Sequence, residues 1–463
     1  MRFVANLRNE TIEAFEDEDI QPAAYLLSAH RISPSLLEAA RLIRGKGIPL
    51  YADNGTKTLI DDVIDRFEDR AGMVKAEVRQ LRKRLGHIPR GREIPSALRA
   101  KADALAEEVV AHCTTLSETI DWSALVDAQL SMHPTAVFAQ EDFATACLVA
   151  LGLERETTGW PVSRFNTRNR RSLRLCRRVA KDPRCKEIET YCVFSAMDYN
   201  TARAAGRMAA RAGVKNAAIG IAGITRDSTA TDFYVIGKAS FKLDRPVPRR
   251  YVRLAQILSG LADGFLEKPG TIASFHCLGL GAPAMFPIAA GALNPGVFLT
   301  TDATSPIHDA VRDHVMYDPS ADGDRKSMEE IVQTIVNGGD WPFQSPFSRT
   351  FRKKFGHDPK LARKWWREHN TPPIADAILE TPSKLTASLP LFCKADPDIR
   401  RKASKTHIAH NHWVLDRLCR SFPDDSAGKS AAMAAFDRWF QRPASVTTRG
   451  LHAGLKVMMQ RAA

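Results

Sequence analysis

The chain has 463 residues, 44% of them hydrophobic, enough for one large domain with an appendage and too apolar for wholesale disorder. Lys and Arg number 66 against 53 Asp and Glu, a formal charge of +13, which favours a polyanionic partner, although a generally basic cytosolic protein would show the same balance. The eight cysteines are scattered without a Cys-x-x-Cys pair, the segment from Met1 to Arg8 is too polar for a signal peptide, and no apolar run reaches about 18 residues, so disulfides, secretion and a membrane span are not expected and a reducing cytoplasm is.

Eight strand-like runs can be marked, at 23–28, 47–52, 135–139, 188–195, 216–222, 232–237, 271–278 and 296–301. Helical patterns separate most of them. The stretch 35–45 carries Leu36, Leu37, Ala40, Leu42 and Ile43; 200–213 is rich in Ala and Arg and stops at Gly213; 249–266 carries Val252, Leu254, Ile257, Leu258 and Leu261. Strands alternating with helices predict a parallel sheet, and eight such units predict a TIM-type (β/α)8 barrel of the α/β class. An open doubly wound sheet is the alternative, but no Gly-rich nucleotide fingerprint follows the first strand. A charged helical insertion at 61–120, with Lys75, Arg79, Arg82, Lys83 and Arg84, interrupts the pattern, and a second basic stretch occupies 164–178. The strand signal ends after Asp318. The division expected is therefore a barrel over 1–320 and a mainly helical, basic C-terminal region over 321–463.

In barrel enzymes the chemistry sits where strands open into loops at their C-terminal ends. At those positions this sequence has Asp53-Asn54-Gly55, then Glu141 and Asp142, then Ser195 and Asp198, Gly223, Gly237, Gly279-Leu280-Gly281 and finally Asp302. Glycines admit a flat ligand close to the backbone, and carboxylates accept from the N–H edge of a guanine-like base. A lone strand-end aspartate is more simply a helix cap; the whole set reads as a site, with Asp53 and Asp302 as a proton donor and a nucleophile. His276 and Cys277 lie on a strand that looks buried and read as packing. His308 and Asp309 read as a cap, and the cluster His407, His410, His412 is a weak metal signal.

The order and spacing of these motifs resemble the tRNA-guanine transglycosylase superfamily. In that family a strand ending in Asp-Ser-Gly-Gly supplies the proton-handling aspartate, to which Asp53-Asn54-Gly55 is similar. Its Gly-Gly-Leu strand end is partly matched by Ile236-Gly237-Lys238-Ala239, and its Met-Gly-Val-Gly turn by Cys277-Leu278-Gly279-Leu280-Gly281. Its nucleophilic aspartate falls in register with Asp302, and its Ser-Ile-His-Asn helix start is echoed by His407-Ile408-Ala409-His410-Asn411. The resemblance covers residues 20–320, with the echo near 410. It departs in three places. The family's Cys-x-Cys-x-x-Cys zinc ligands are missing, since no cysteine lies between Cys277 and Cys393, so no zinc of that type is expected and the chemistry needs no cofactor. The family's Asp-Glu pair stands here as Glu141-Asp142. The base-reading glutamine has no match near Gly220-Ile221-Ala222-Gly223.

These departures point towards the DNA-acting branch of the family. The resemblance then implies a pentosyltransferase, queuosine-related in its chemistry, that replaces guanine in DNA with a 7-deazaguanine through a covalent aspartyl-glycosyl intermediate. Asp302 would be the nucleophile, Asp53 would manage protons, and Asp142, Glu141, Asn54, Gly237, Gly279 and Gly281 would hold the base. The implied partners are DNA and the free base; a homodimer or accessory proteins are left open. The same exchange on tRNA, and an inactive barrel that only binds nucleic acid, are the alternatives. Arg352, Lys353, Lys354, Arg363 and Lys364, close to Phe351, Phe355, Trp365 and Trp366, read as nucleic-acid contacts through their charges, while the two tryptophans read rather as packing.

Overall fold

The computed structural model describes residues 1–17, 20–86, 89, 91–225, 227, 229–293, 296–311, 315–319, 323–327, 330, 360, 397–425, 430–434, 437–438 and 445–461. Arg352, Lys353, Lys354, Arg363 and Lys364, with the aromatic residues beside them, lie outside this set. Ten strands precede residue 303: β1 (Arg2–Asn6), β2 (Tyr25–Ser28), β3 (Leu50–Asp53), β4 (Ala136–Phe138), β5 (Glu189–Phe194), β6 (Asn216–Gly220), β7 (Ala230–Ile236), β8 (Ala239–Pro248), β9 (Ser274–Leu278) and β10 (Phe298–Asp302). Eight of them close a ring in the order β1-β10-β9-β6-β5-β4-β3-β2, and the ring pairs are parallel throughout. Helices surround this ring, so the chain folds as a (β/α)8 barrel of TIM type.

One of the expected strands needs correction, and one ring strand was not expected. The run 232–237 is not a stave of the ring. It lies in β7, which pairs antiparallel with β8 as a hairpin between the sixth and seventh ring strands. Gly237 is therefore the turn of that hairpin, at φ +60, and not the end of a barrel strand. Its carbonyl accepts a hydrogen bond from Asn200 Nδ2 at 3.1 Å. The alternation of apolar and polar residues marks a strand but carries no information on its partner's direction. The missing stave is β1, whose sequence Arg-Phe-Val-Ala-Asn is short and polar at both ends. A further hairpin follows Val311: β11 (Val315–Asp318) pairs antiparallel with β12 (Asp324–Ser327), past the point where the sequence signal fades.

The pleat of the ring sorts its residues by twos. Val4, Leu26, Tyr51, Ala136, Phe138, Tyr191, Val193 and Ala218 form a buried cluster inside it. Their chain neighbours Ala5, Tyr25, Leu27, Leu50, Ala52 and Val137 pack outward against helices. The helical insertion is the antiparallel pair Thr56–Leu85 and Ser96–Thr119, buried through Val63, Phe67, Ala71, Val74, Ala102, Leu105, Ala106 and Val109. The helices Tyr199–Arg211 and Arg249–Phe265 approach most closely. A Cβ on Gly206 would lie 2.4 Å from the Leu261 carbonyl oxygen, and one on Gly260 2.4 Å from that of Tyr199. In the C-terminal region the helix Pro397–Arg420 packs on β1 and on the helices Asn9–Asp17 and Ser305–Val311, and Val446–Arg461 packs on Arg249–Phe265. Asn411 fastens the first of these by accepting from the Tyr317 amide at 2.9 Å and donating to the Val315 carbonyl at 2.8 Å. His407, Ile408 and His410 thus sit in mid-helix, buried, and not at a helix start.

Candidate active site

The same two-residue period that points Val4, Leu26 and Tyr51 into the ring points the strand-terminal residues Asn6, Ser28, Asp53 and Asp302 into its C-terminal mouth. The registers bring them level: Val4 pairs with Asp302, Asn6 with Leu26 and Ser28 with Asp53. The two aspartates lie on strands separated by β1 and β2, across one side of the same opening. The negative charge of Asp302 reaches Asp53: together with burial, which is the larger cause, it raises the Asp53 pKa to about 6.

Asp302 is 7% exposed and is held by an asparagine, a backbone amide and an imidazole. Its Oδ2 accepts from Asn6 Nδ2 at 3.1 Å. Its Oδ1 accepts from the Gly279 amide at 3.0 Å and lies 3.1 Å from His276 Nε2. Gly279 has φ +82, a conformation any other residue adopts only with strain, and this turn aims its N–H at the carboxylate. His276 is fully buried and stands two residues below the rim, against the Phe138 ring at 4.9 Å. Its Nδ1 meets Thr300 Oγ1 at 2.7 Å. With the hydroxyl donating to Nδ1, Nε2 carries the proton towards Asp302. Close by, a Cβ on Gly281 would lie 2.3 Å from both Ala303 Cβ and Ser305 Oγ, so this glycine lets the loops after β9 and β10 touch.

Asp53 is bonded by the Gly55 amide at 3.1 Å and also by the Asn54 amide and the Ser28 side chain. Gly55 has φ +75, and a Cβ there would strike the His30 ring at 1.8 Å. Asn54 faces away from the mouth. Its Nδ2 donates to Glu141 Oε2 at 2.8 Å and to the Ala139 carbonyl at 2.9 Å, and its Oδ1 accepts from the Thr56 amide at 2.9 Å. Both amide N–H groups of Asn54 are therefore engaged by the protein. Glu141, 6% exposed, also accepts from Thr56 Oγ1 at 3.2 Å. Burial, opposed by the Asn54 bond and aided by Asp53, raises its pKa to about 7.

Of the residues expected at the site, the structure gathers Asp53, Asn54, Glu141, Gly279 and Asp302 into one connected set, with Gly281 in the adjoining loop. Asp142 belongs to another neighbourhood. Its carboxylate lies 3.4 Å from Arg168 Nη1 and 4.0 Å from Arg171 Nη1, and its amide donates to Ser172 Oγ at 2.9 Å. Gly237 lies in the β7–β8 turn. Sequence reasoning missed Asn6, Ser28 and the polar role of His276. The first two are polar residues closing apolar strands, and His276 is an ionisable residue two positions from a strand end, on the parity of Asp302's own neighbour Thr300. These are legible signals once the staves are known.

The resemblance calls for zinc near His410. Its Nε2 bonds the Tyr317 carbonyl at 2.7 Å, and among the described residues no three His, Cys, Asp or Glu side chains gather as ligands. The residues present do not make that site, and no step below is routed through a metal.

Fold and mouth together define a (β/α)8 barrel carrying two carboxylates at one opening, with the pKa of Asp53 raised. No protein-family model matches the chain, and no curated protein matches it.

Proposed function

We propose that the chain is a transglycosylase that exchanges guanine in DNA for a 7-deazaguanine base. The observation that carries this reading is the pairing of Asp53 and Asp302 at one mouth, with Asp302 held by Asn6, the Gly279 amide and His276 and the Asp53 pKa raised to about 6. Asp302 supplies the attacking carboxylate, and Asp53 changes charge near neutral pH, as a group that gives and takes protons must.

In this reading an oxygen of Asp302 attacks C1′ of the target deoxyguanosine. The C1′–N9 bond breaks, an ester to the sugar forms, and Asp53 gives a proton to the departing guanine. The deazaguanine then attacks C1′ through its own ring nitrogen, Asp53 takes the proton lost there, and Asp302 is released. Two displacements keep the sugar's configuration. His276 and Gly279 fix Oδ1 of Asp302, leaving Oδ2, held by the Asn6 side chain alone, as the attacking atom. Duplex DNA hides both C1′ and the base edge, so the nucleotide enters the mouth flipped out or from a single strand. Glu141 supports Asn54 and, through it, the loop that carries Asp53.

The test is a trap. The protein is incubated with DNA or with tRNA, each with a labelled 7-deazaguanine, and denatured. A covalent protein–DNA adduct together with label in DNA is expected. Label in tRNA alone would move the same chemistry to RNA, and retention of DNA with neither label nor adduct would leave a binding protein without the reaction.

A further inference from the structure

The helix Val162–Ala180 carries seven arginines and no acid. They divide by environment. Arg164 lies over the Trp160 ring at 4.1 Å and pairs with Asp103 and Glu107 of the helical insertion. Arg168 and Arg171 approach Asp142. The remaining four, Arg170, Arg174, Arg177 and Arg178, continue with Lys181 just past the helix. All five are exposed, and among the described residues none has an ion-pair partner. Their spacing is i, i+4, i+7, i+8, i+11, so they form one stripe, while Phe165, Asn169, Ser172, Leu173 and Cys176 repeat the same spacing on the buried face.

Such a stripe opposes the helix that bears it. Arg170 with Arg174, Arg174 with Arg178, and Arg177 with Lys181 are like charges one turn apart, which weakens a helix. Arg174, Arg177, Arg178 and Lys181 also line an open groove of about 490 Å³ with Asp182 and Pro183. The acid in that groove is engaged, since Asp182 pairs with Arg184 at 2.8 Å. The groove therefore presents concentrated, uncompensated positive charge.

We infer that this stripe is a docking track for the phosphate backbone of DNA, separate from the barrel mouth. It begins beside Arg168 and Arg171, near the rim residue Asp142, and descends the outer wall towards the start of β5. From Arg170 to Lys181 it spans about 16 Å of helix, the rise of about five nucleotides of one strand. Arginine is the cation suited to two-pronged contact with phosphate. A membrane surface is disfavoured, because an interfacial helix must offer apolar side chains to the lipid and those of this helix are committed to the barrel. The choice of DNA over RNA rests on the base-exchange reading; the stripe itself does not.

The test compares the full chain with Arg170→Gln/Arg174→Gln/Arg178→Gln, and with a control triple of equal charge change elsewhere, Arg41→Gln/Lys46→Gln/Lys268→Gln. Anisotropy of a labelled DNA duplex is followed over a salt series, with a labelled tRNA and phosphatidylserine vesicles as further arms, and melting curves check the fold. The stripe variant is expected to melt as the parent does, to bind DNA on the order of tenfold more weakly, and to lower the slope of log K against log salt by about 2–3, with the control near the parent. Equal loss in the control, an unchanged slope, or tighter capture by vesicles or tRNA than by DNA would overturn the proposal. Asp302→Asn is expected to keep this binding while losing exchange. A parent that binds through the stripe but exchanges no base would thus sink the reading of the mouth and not that of the wall.

Discussion

Acidic side chains occur in two kinds of surroundings in this barrel, and the contrast separates the acids of the proposed site from acids tied to arginine. At the mouth, Asp53, Asp302 and Glu141 receive bonds from amides, a hydroxyl, an asparagine and an imidazole. Glu154 and Asp198, the latter capping the helix after β5, are instead tied to guanidinium groups. Glu154 Oε1 pairs with Arg253 at 2.5 Å and also with Arg249, Arg253 reaches Asp227 at 3.2 Å, and Arg155 pairs with Asp198 at 2.6 Å. Burial raises the pKa values of Asp53 and Glu141. The lesson is that, among the described residues, no lysine or arginine is paired with the three acids of the mouth.

Substitutions can break or sharpen this contrast. The largest effect is expected from Asp302→Asn, which should lower base exchange by about 10⁴-fold or more and remove the covalent adduct seen on a denaturing gel, with the melting temperature preserved. Asp53→Asn should cost about 10²–10⁴-fold and flatten the pH profile of adduct formation, which in the parent should fall as pH rises through about 6; a profile that persists in the variant would assign the titration to another group. The opposite signature is expected from Glu154→Gln. It leaves Arg253, 1% exposed, short of countercharge and should destabilise the fold by about 3 kcal/mol in urea unfolding, with kcat of the surviving native protein unchanged. In the proposed reaction His276→Phe should lower kcat by about 10²-fold with little change in KM, because Asp302 loses its orientation, and His276→Gln, which restores a donor, should recover part of it.

The smallest effect concerns stability and pH. Because the folded-state pKa of Asp53 lies near 6, above its unfolded value of 3.8, the folded chain holds this proton more tightly. The associated stability is full below about pH 4 and lost as pH rises through about 6. Glu141, raised to about 7, acts in the same direction. Asp53→Asn, neutral at every pH, should therefore melt like the parent at pH 4 and be more stable at pH 8, by about 1–2 kcal/mol after allowing for the part of Asp53 that solvent reaches.

Much of this was legible in the sequence, and the remainder was hidden for identifiable reasons. Seven of the ring strands, a helical insertion near 61–120 and the placement of Asp53 and Asp302 at strand ends follow from the apolar runs, their Gly, Pro and Asp punctuation and the helical charge pattern. The β1 strand was not legible, because five residues flanked by Arg2 and Asn6 carry too little pattern. Gly237 was misplaced because a hairpin strand and a ring strand share the same local alternation. Asp142 and Asn54 were expected to face a ligand, but the arginines of one helix claim the first and Glu141 the second; neither partner is near in sequence, so only the folded chain reveals the bond. His276 read as packing because its partners, Thr300 and Asp302, lie more than twenty residues onward.

The ring closes between its earliest and latest staves: β10 completes it by pairing with β1. Asn6 and Asp302 meet only at that seam. During synthesis this contact therefore stays unmade until β10 has left the ribosome and slotted home. Under the proposed base exchange, activity would read out topological completion, so a circular permutant opened at the seam should lose adduct formation while keeping its other strand pairs.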